Sequence, residues 1–187
     1  MDKYDKSIIS ILQEDGRASL TEIGKALGLS HVSVRKRLKK LCDETIKVTV
    51  GLNVEKLGFH IAIINAEVEG HDRLLELIEK FSKCPRIVFM TTTTGAYNLM
   101  TIMIAEDSDT LKAIIEVCSV RAQRGIRRSE VSIGDPPIIP KYLPIKIVAD
   151  KTLEEEAPCG INCGKCIRYK EGKCLACPAT KYYRGPL

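Results

Sequence analysis

The chain has 187 residues, 44% hydrophobic and 28% charged, with a formal net charge of +5, enough apolar material for one ordinary domain or two small ones with an appendage. No run of about 18 apolar residues occurs, which excludes a membrane-spanning helix, and the opening MDKYDKSIISILQEDGR alternates charged and apolar positions unlike a secretory leader. A cytoplasmic protein is expected, and whether the mild basic excess serves a polyanionic partner depends on where the charge sits.

Three helices are predicted in the first fifty residues. Ile8, Ile9, Ile11 and Leu12 form the apolar stripe of the first, with Gly16 as its stop. Ser19 with Glu22 three residues later reads as a capping box opening a short helix on Ile23, Ala26 and Leu27, and Gly28 suits a sharp turn. Ser30 caps the third, HVSVRKRLKKL, whose Val34, Leu38 and Leu41 face inward. Helix, glycine turn and helix make a helix-turn-helix. Between His31 and Lys40 stand five basic residues and no acid. A major-groove reader places the helix's N-terminal half on base edges and flanking cations on phosphates. His31, Ser33 and Arg35 are therefore the base-facing residues expected, and Lys36, Lys39 and Lys40 the phosphate contacts. A basic run alone would read as a solvated face; the capped helix spacing decides for DNA.

The stretch DKYDKSIISILQEDGRASLTEIGKALGLSHVSVRKRLKKL resembles the N-terminal domain of Lrp/AsnC-type (feast/famine) transcription regulators. Asp5, EDGR at 14–17 and LGLS at 27–30 stand where that family's pattern has them. VGLNVEKLGF at 50–59 resembles its hinge strand. One departure is Thr45 before Ile46, where the family usually has glycine. The resemblance implies that residues 1–50 bind double-stranded promoter or operator DNA sequence-specifically.

Residues 51–140 alternate strand and helix patterns. FHIAIINAEVEG, RIVFMTTTT, YNLMTIMIAE and GIRRSEVSIG read as strands, HDRLLELIEKFSKC and DTLKAIIEVCSVRAQ as helices, the second capped by Ser108 or Asp109. The order βαββαβ predicts a ferredoxin-like sandwich, so the fold class expected is α+β. This segment resembles the same family's ligand-binding domain, which implies a homodimer paired through its sheets and assembly to tetramers or octamers. TTTTGAYNLM is similar to the family's effector segment, so Thr94, Gly95, Tyr97 and Asn98 become the expected small-molecule contacts. A plain hairpin with a glycine turn competes with that reading. Asn98 replaces a common aspartate, which removes the obvious partner for an effector's ammonium group.

His60 and His71 stand apart from any constellation and read as a half-buried strand residue and a helix cap. Cys42, Cys84 and Cys118 read as small core or loop residues. No catalytic triad, phosphate loop or carboxylate pair is present, so catalytic residues are expected to be none. An enzyme on the same fold, of the sirohaem decarboxylase kind, is the alternative class; it would want basic and histidine residues gathered in the platform.

A proline-rich stretch, 141–158, is expected as a linker, with YLPIKIVA able to add an edge strand. Residues 159–187 then hold five of the eight cysteines, spaced C-x3-C-x2-C-x7-C-x2-C with Pro178 after the last. Clustered thiols in a reducing compartment point to metal ligation over disulfides. Cys159, Cys163, Cys166, Cys174 and Cys177 are the expected ligands. An iron–sulfur cluster, [4Fe–4S] in type, would use four of them; Zn2+ would use the pairs Cys163/Cys166 and Cys174/Cys177. Lys165, Arg168, Lys170, Lys173, Lys181 and Arg184 surround the thiols and would offset the negative charge of either centre, or form a second DNA patch. The pattern resembles small cysteine-rich modules of archaeal and bacterial proteins that bind iron–sulfur clusters or zinc. A metal- or redox-sensing regulator is the expectation.

Overall fold

Three capped helices make up the first unit, Met1–Val50, of a computed structural model that describes residues 1–148, 150 and 152–187. Helix α1 (Lys3–Glu14) opens on a capping box of two acids, Asp2 and Asp5, which supply to N-terminal N–H groups what serine and glutamate more often do. It ends at Asp15, one residue before the glycine expected to stop it. Helix α2 (Leu20–Leu27) has the Ser19–Glu22 capping box and closes on Gly28 at φ 65°, a conformation only glycine takes without strain. Helix α3 (His31–Glu44) is capped by Ser30, whose hydroxyl accepts the Ser33 N–H. Ile8, Ile23 and Val34 are fully buried at the junction of the three, with Leu41 beside them and Leu38 at the margin.

The second unit, Gly51–Leu187, is built on a four-stranded antiparallel sheet. Its strands are β2 (His60–Val68), β3 (Ile87–Thr92), β4 (Leu99–Ala105) and β5 (Ile126–Gly134), after the short β1 (Leu52–Asn53), and they lie in the order β3-β4-β2-β5. A one-turn helix, α4 (Val54–Leu57), precedes β2, and α5 (His71–Ser82) and α6 (Ser108–Ala113) complete the βαββαβ pattern. Alternation along β2 sends Ala62, Ile64, Ala66 and Val68 to the face where Leu77 and Phe81 of α5 and Leu111 of α6 are buried; Ile61 is buried in another cluster, with Phe59, Ile104 and Leu143. Asp107 caps α6, its carboxylate accepting the Thr110 N–H at 2.6 Å; the cap falls one residue before the expected Ser108 because the carboxylate reaches N3. α6 runs on as a π-helical turn, Ile114–Cys118. His71 is the first residue of α5 and Gly70 its cap, so His71 caps nothing; His60 is exposed at the start of β2.

Residues 141–158 do more than link. β6 (Tyr142–Leu143) pairs with β1 in a separate two-stranded sheet, and Ile145 and Ala157 are buried. The cysteine-rich segment, with a 3-10 turn at Cys163–Lys165 and α7 (Ile167–Lys170), packs into the same unit. Ala157, Cys159, Cys163 and Ala176 share a core cluster with Val68, Leu77, Phe81 and Leu99, and Leu187 joins another with Phe59, Ile61 and Ile104. A stretch this short lacks apolar mass for its own core; it borrows the domain's.

Candidate DNA-binding helix and thiol-lined site

On α3 the residues expected at DNA are those turned outward. His31, Ser33, Arg35, Lys36, Lys39 and Lys40 are all exposed, while Val34 and Leu41 on the opposite side are buried. Arg37, also in the basic run, is spent within the unit. Its Nη1 donates to Asp2 at 2.7 Å and to Asp5 at 2.8 Å. Those carboxyls are held below their ordinary value, for each chiefly by the other residue's backbone N–H and then by Arg37. The Ser33 hydroxyl lies 2.8 Å from that of Ser30, so part of its hydrogen-bonding capacity serves the cap. Val32, 73% exposed at the helix start, was not singled out from the sequence, because an apolar residue in a basic run carries no charge signal.

The loop between β3 and β4 holds Thr94, Gly95, Tyr97 and Asn98. Thr94 and Gly95 are exposed, with Gly95 at φ 120°. Asn98 is occupied: its Oδ1 accepts the Val68 N–H at 2.8 Å and its Nδ2 donates to the Val68 carbonyl at 2.9 Å. Arg128 lies over the Tyr97 ring at 5.3 Å and donates to the Ala96 carbonyl and to Glu67. The four residues are thus near one another, but Asn98 works as a strand clamp.

The thiols converge more than the sequence suggested. One cavity, about 40 Å3 in the space open to a water-sized sphere, is walled by all five cysteines of the extension and also by Cys84 and Cys118. These two were expected as unremarkable core or loop residues. They are distant in sequence from the extension and meet it only because the chain folds back over the C-terminal ends of α5 and the π-helical turn. Cys42, in the first unit, is exposed. Among the described residues no group of three or more His, Cys, Asp or Glu side chains is arranged to hold a single metal ion; the thiols are spread around the wall. Gly164 is required there by close approach, since a Cβ would stand 2.4 Å from the Tyr182 ring.

Electrostatics divides the thiols. Burial pushes Cys177 up to about 12 and raises Cys84, Cys163 and Cys174. Cys159 is drawn down to about 7, first by the Cys118 thiol, with the Ile161 N–H and the Lys80 ammonium assisting; Cys118 is raised in return. Arg86 forms another part of the wall. Burial alone would depress it, but the Glu106 carboxylate outweighs that and keeps the guanidinium charged. Nη1 donates to the Ala176 carbonyl at 2.6 Å and Nη2 to both oxygens of Glu106. Nε is buried with no partner, on a residue that lines the cavity with the cysteines. A buried donor without an acceptor is costly, and a thiolate-ligated anionic centre would supply one. Most of the basic shell is engaged inside the unit: Arg168 pairs with Glu116, Lys181 with Glu155 and Lys173 with Glu171, and Arg184 stacks over Tyr169 at 4.5 Å. That counts against a second DNA patch.

Comparison with known proteins agrees with both folded parts. The AsnC-type helix-turn-helix domain profile matches residues 1–41 and the Lrp/AsnC ligand binding domain profile matches 61–133; residues 134–187 lie beyond both. The HTH-type transcriptional regulator LrpA of Pyrococcus abyssi is 33% identical over 117 residues, 62% of this chain and 83% of that protein. The HTH-type transcriptional regulator FL11 of Pyrococcus furiosus is 34% identical over 120 residues, 63% of this chain and 79% of its own length. Escherichia coli AsnC has the same fold, with a TM-score of 0.64 at 18% identity over 74% of this chain and 95% of that one. So does NMB0573 of Neisseria meningitidis, solved with L-Met, with a TM-score of 0.64 at 22% identity over 74% and 92%. These relatives are HTH-type transcriptional regulators. With its helix-turn-helix, its ferredoxin-like domain and these relatives, the chain belongs to the Lrp/AsnC family of DNA-binding transcriptional regulators.

Proposed function

We propose that this regulator reads operator DNA with α3 and senses a metal or redox signal through its cysteine-rich extension. The sensor is an iron–sulfur cluster, [4Fe–4S] in type, held by four thiolates drawn from Cys159, Cys163, Cys166, Cys174 and Cys177, with Zn2+ as the alternative. One observation carries this reading: all five cysteines line one cavity together with Arg86, whose buried Nε has no partner. A single zinc ion needs four donors about 2.3 Å away, so the thiols would have to draw together. Thiols ringed around a space suit a polynuclear cluster better.

On the DNA side, His31, Ser33 and Arg35 meet base edges, Lys36, Lys39 and Lys40 meet phosphates, and exposed Val32 is placed for a thymine methyl. A homodimer, or a tetramer or octamer of it, would set two such helices on successive turns of the duplex. The 94–98 loop is the place for a small effector; with Asn98 engaged elsewhere, Thr94, Gly95 and Tyr97 would carry the contact. Metal loading then acts on DNA affinity by changing how the extension sits on the ligand-binding domain.

The test uses DNA fragments enriched by the protein from a random pool. Their affinity is measured anaerobically for the full chain, metal-loaded and chelator-stripped. A difference of fivefold or more, in the range of about 5–150-fold common for coupled sites, is expected; equal affinities would rule the coupling out.

A further inference from the structure

The five cysteines of the extension do not complete the cavity wall; the ligand-binding domain contributes to it. Cys118 ends the π-helical turn Ile114–Cys118, a wide-turn geometry that is rare in helices and frequent at functional sites. The turn is fixed by Ser119, whose N–H bonds to the Ile114 carbonyl at 2.8 Å and whose hydroxyl bonds to that of Ile115 at 3.0 Å. Cys118 and Cys159, at the start of the extension, thus line the same cavity. Cys84, just past α5, lines the same wall. A purely apolar role would account for one buried cysteine. It does not account for seven of the chain's eight around one space, nor for the partnerless, nine-tenths buried Arg86 Nε among them.

We infer that the metal centre is shared between the extension and the ligand-binding domain, with Cys118 supplying a thiolate ligand beside those of the extension. The bound metal is then the clasp that holds the extension to the π-helical turn, and the centre cannot form on the extension alone. Each ligating thiol gives its proton to solvent as the metal binds. This inference rests on the metal reading above. It gives the proposed coupling a physical path, because loading or losing the metal makes or breaks a bond to the domain that carries the sheet and the effector loop.

The test uses the full chain, reconstituted anaerobically with ferrous iron and sulfide. Cys118→Ser is compared with wild type, with Cys163→Ser in the extension, and with Cys42→Ser in the first unit. Retention of iron against a chelator is expected to fall about tenfold or more in Cys118→Ser, with an altered visible spectrum, and to stay unchanged in Cys42→Ser. If Cys163→Ser loses its iron while Cys118→Ser keeps wild-type iron content and spectrum, the shared centre is overturned and the metal reading stands. If wild type itself takes up no iron or zinc, the metal reading falls. Should Cys118→Ser not fold, wild type alkylated with iodoacetamide and mapped by mass spectrometry decides. Protection of Cys118 on loading supports the inference; Cys118 labelled in the loaded protein while extension cysteines are protected contradicts it.

Discussion

Nη2 of Arg86 reaches both carboxylate oxygens of Glu106, at 2.7 and 2.8 Å, with each side chain only 4% exposed. The extension closes over this pair: the Ala176 carbonyl accepts Nη1, and the Tyr183 hydroxyl donates to Glu106 at 2.5 Å and accepts the Leu187 N–H at 2.7 Å. The ion pair, from the residue before β3 to the residue after β4, is therefore also the anchor of the C-terminal segment. Removing one partner leaves a buried charge uncompensated, whereas replacing both can be close to neutral.

Arg86→Met should lower stability by about 3–5 kcal/mol in urea titration of the full chain and expose residues 159–187 to protease. Arg86→Met combined with Glu106→Leu should recover most of the stability. If the single and double variants are equally stable, the pair is not the anchor.

Asn98 clamps Val68 through one donor and one acceptor. Asn98→Asp, which would bring back the residue common in related effector loops, replaces the Nδ2 donor with an oxygen facing the Val68 carbonyl. A loss of about 1–3 kcal/mol is expected, read as a lowered urea midpoint. An unchanged midpoint would show the clamp to be dispensable and free the side chain for an effector.

Acid should weaken the cap of α1. The carboxyls of Asp2 and Asp5 lie below their ordinary 3.8 in the folded chain. Their contribution is thus fully present above that value and is lost as pH falls through the lowered folded values. The variant Asp2→Asn/Asp5→Asn should be less stable than wild type at pH 7, with the two curves converging in circular dichroism as pH falls below the ordinary carboxyl value of 3.8. Parallel curves would contradict this account of Arg37 and its two acids.

Phosphate and base contacts separate by salt. Lys36→Ala, Lys39→Ala and Lys40→Ala should each weaken DNA binding evenly across sequences and reduce the slope of log affinity against log salt by about 1. Arg35→Ala should cost about 1–3 kcal/mol at preferred sites and relax base preference. An Arg37→Lys variant with the same salt slope as wild type would agree with its being turned toward Asp2 and Asp5.

Local chemistry made much of this visible in the residues. Ser19 with Glu22, Ser30 before α3 and the alternation along β2 are short-range signals, and each element they predict is present. The outward set on α3 followed from the inward set, because the helical period ties Val34 and Leu41 to one side. What the residues did not reveal depends on long-range folding. Nothing beside Cys84 or Cys118 announces a thiol partner that arrives from the C-terminal segment. Arg86, in CPRIVF, belongs to no periodic pattern, yet it joins the sheet, the extension and the cavity. Residues 141–158 looked like a linker because prolines are frequent there, but Ile145 and Ala157 are buried.

The most direct measurement is metal and sulfide analysis with a visible absorption spectrum on the full chain purified without oxygen. A brown protein with iron and acid-labile sulfide is the result predicted for a cluster at the thiol-lined cavity. A colourless protein with one zinc per chain would move the site to the zinc alternative. A chain free of both metals, with all eight thiols titratable, would contradict the claim that the extension is a metal sensor.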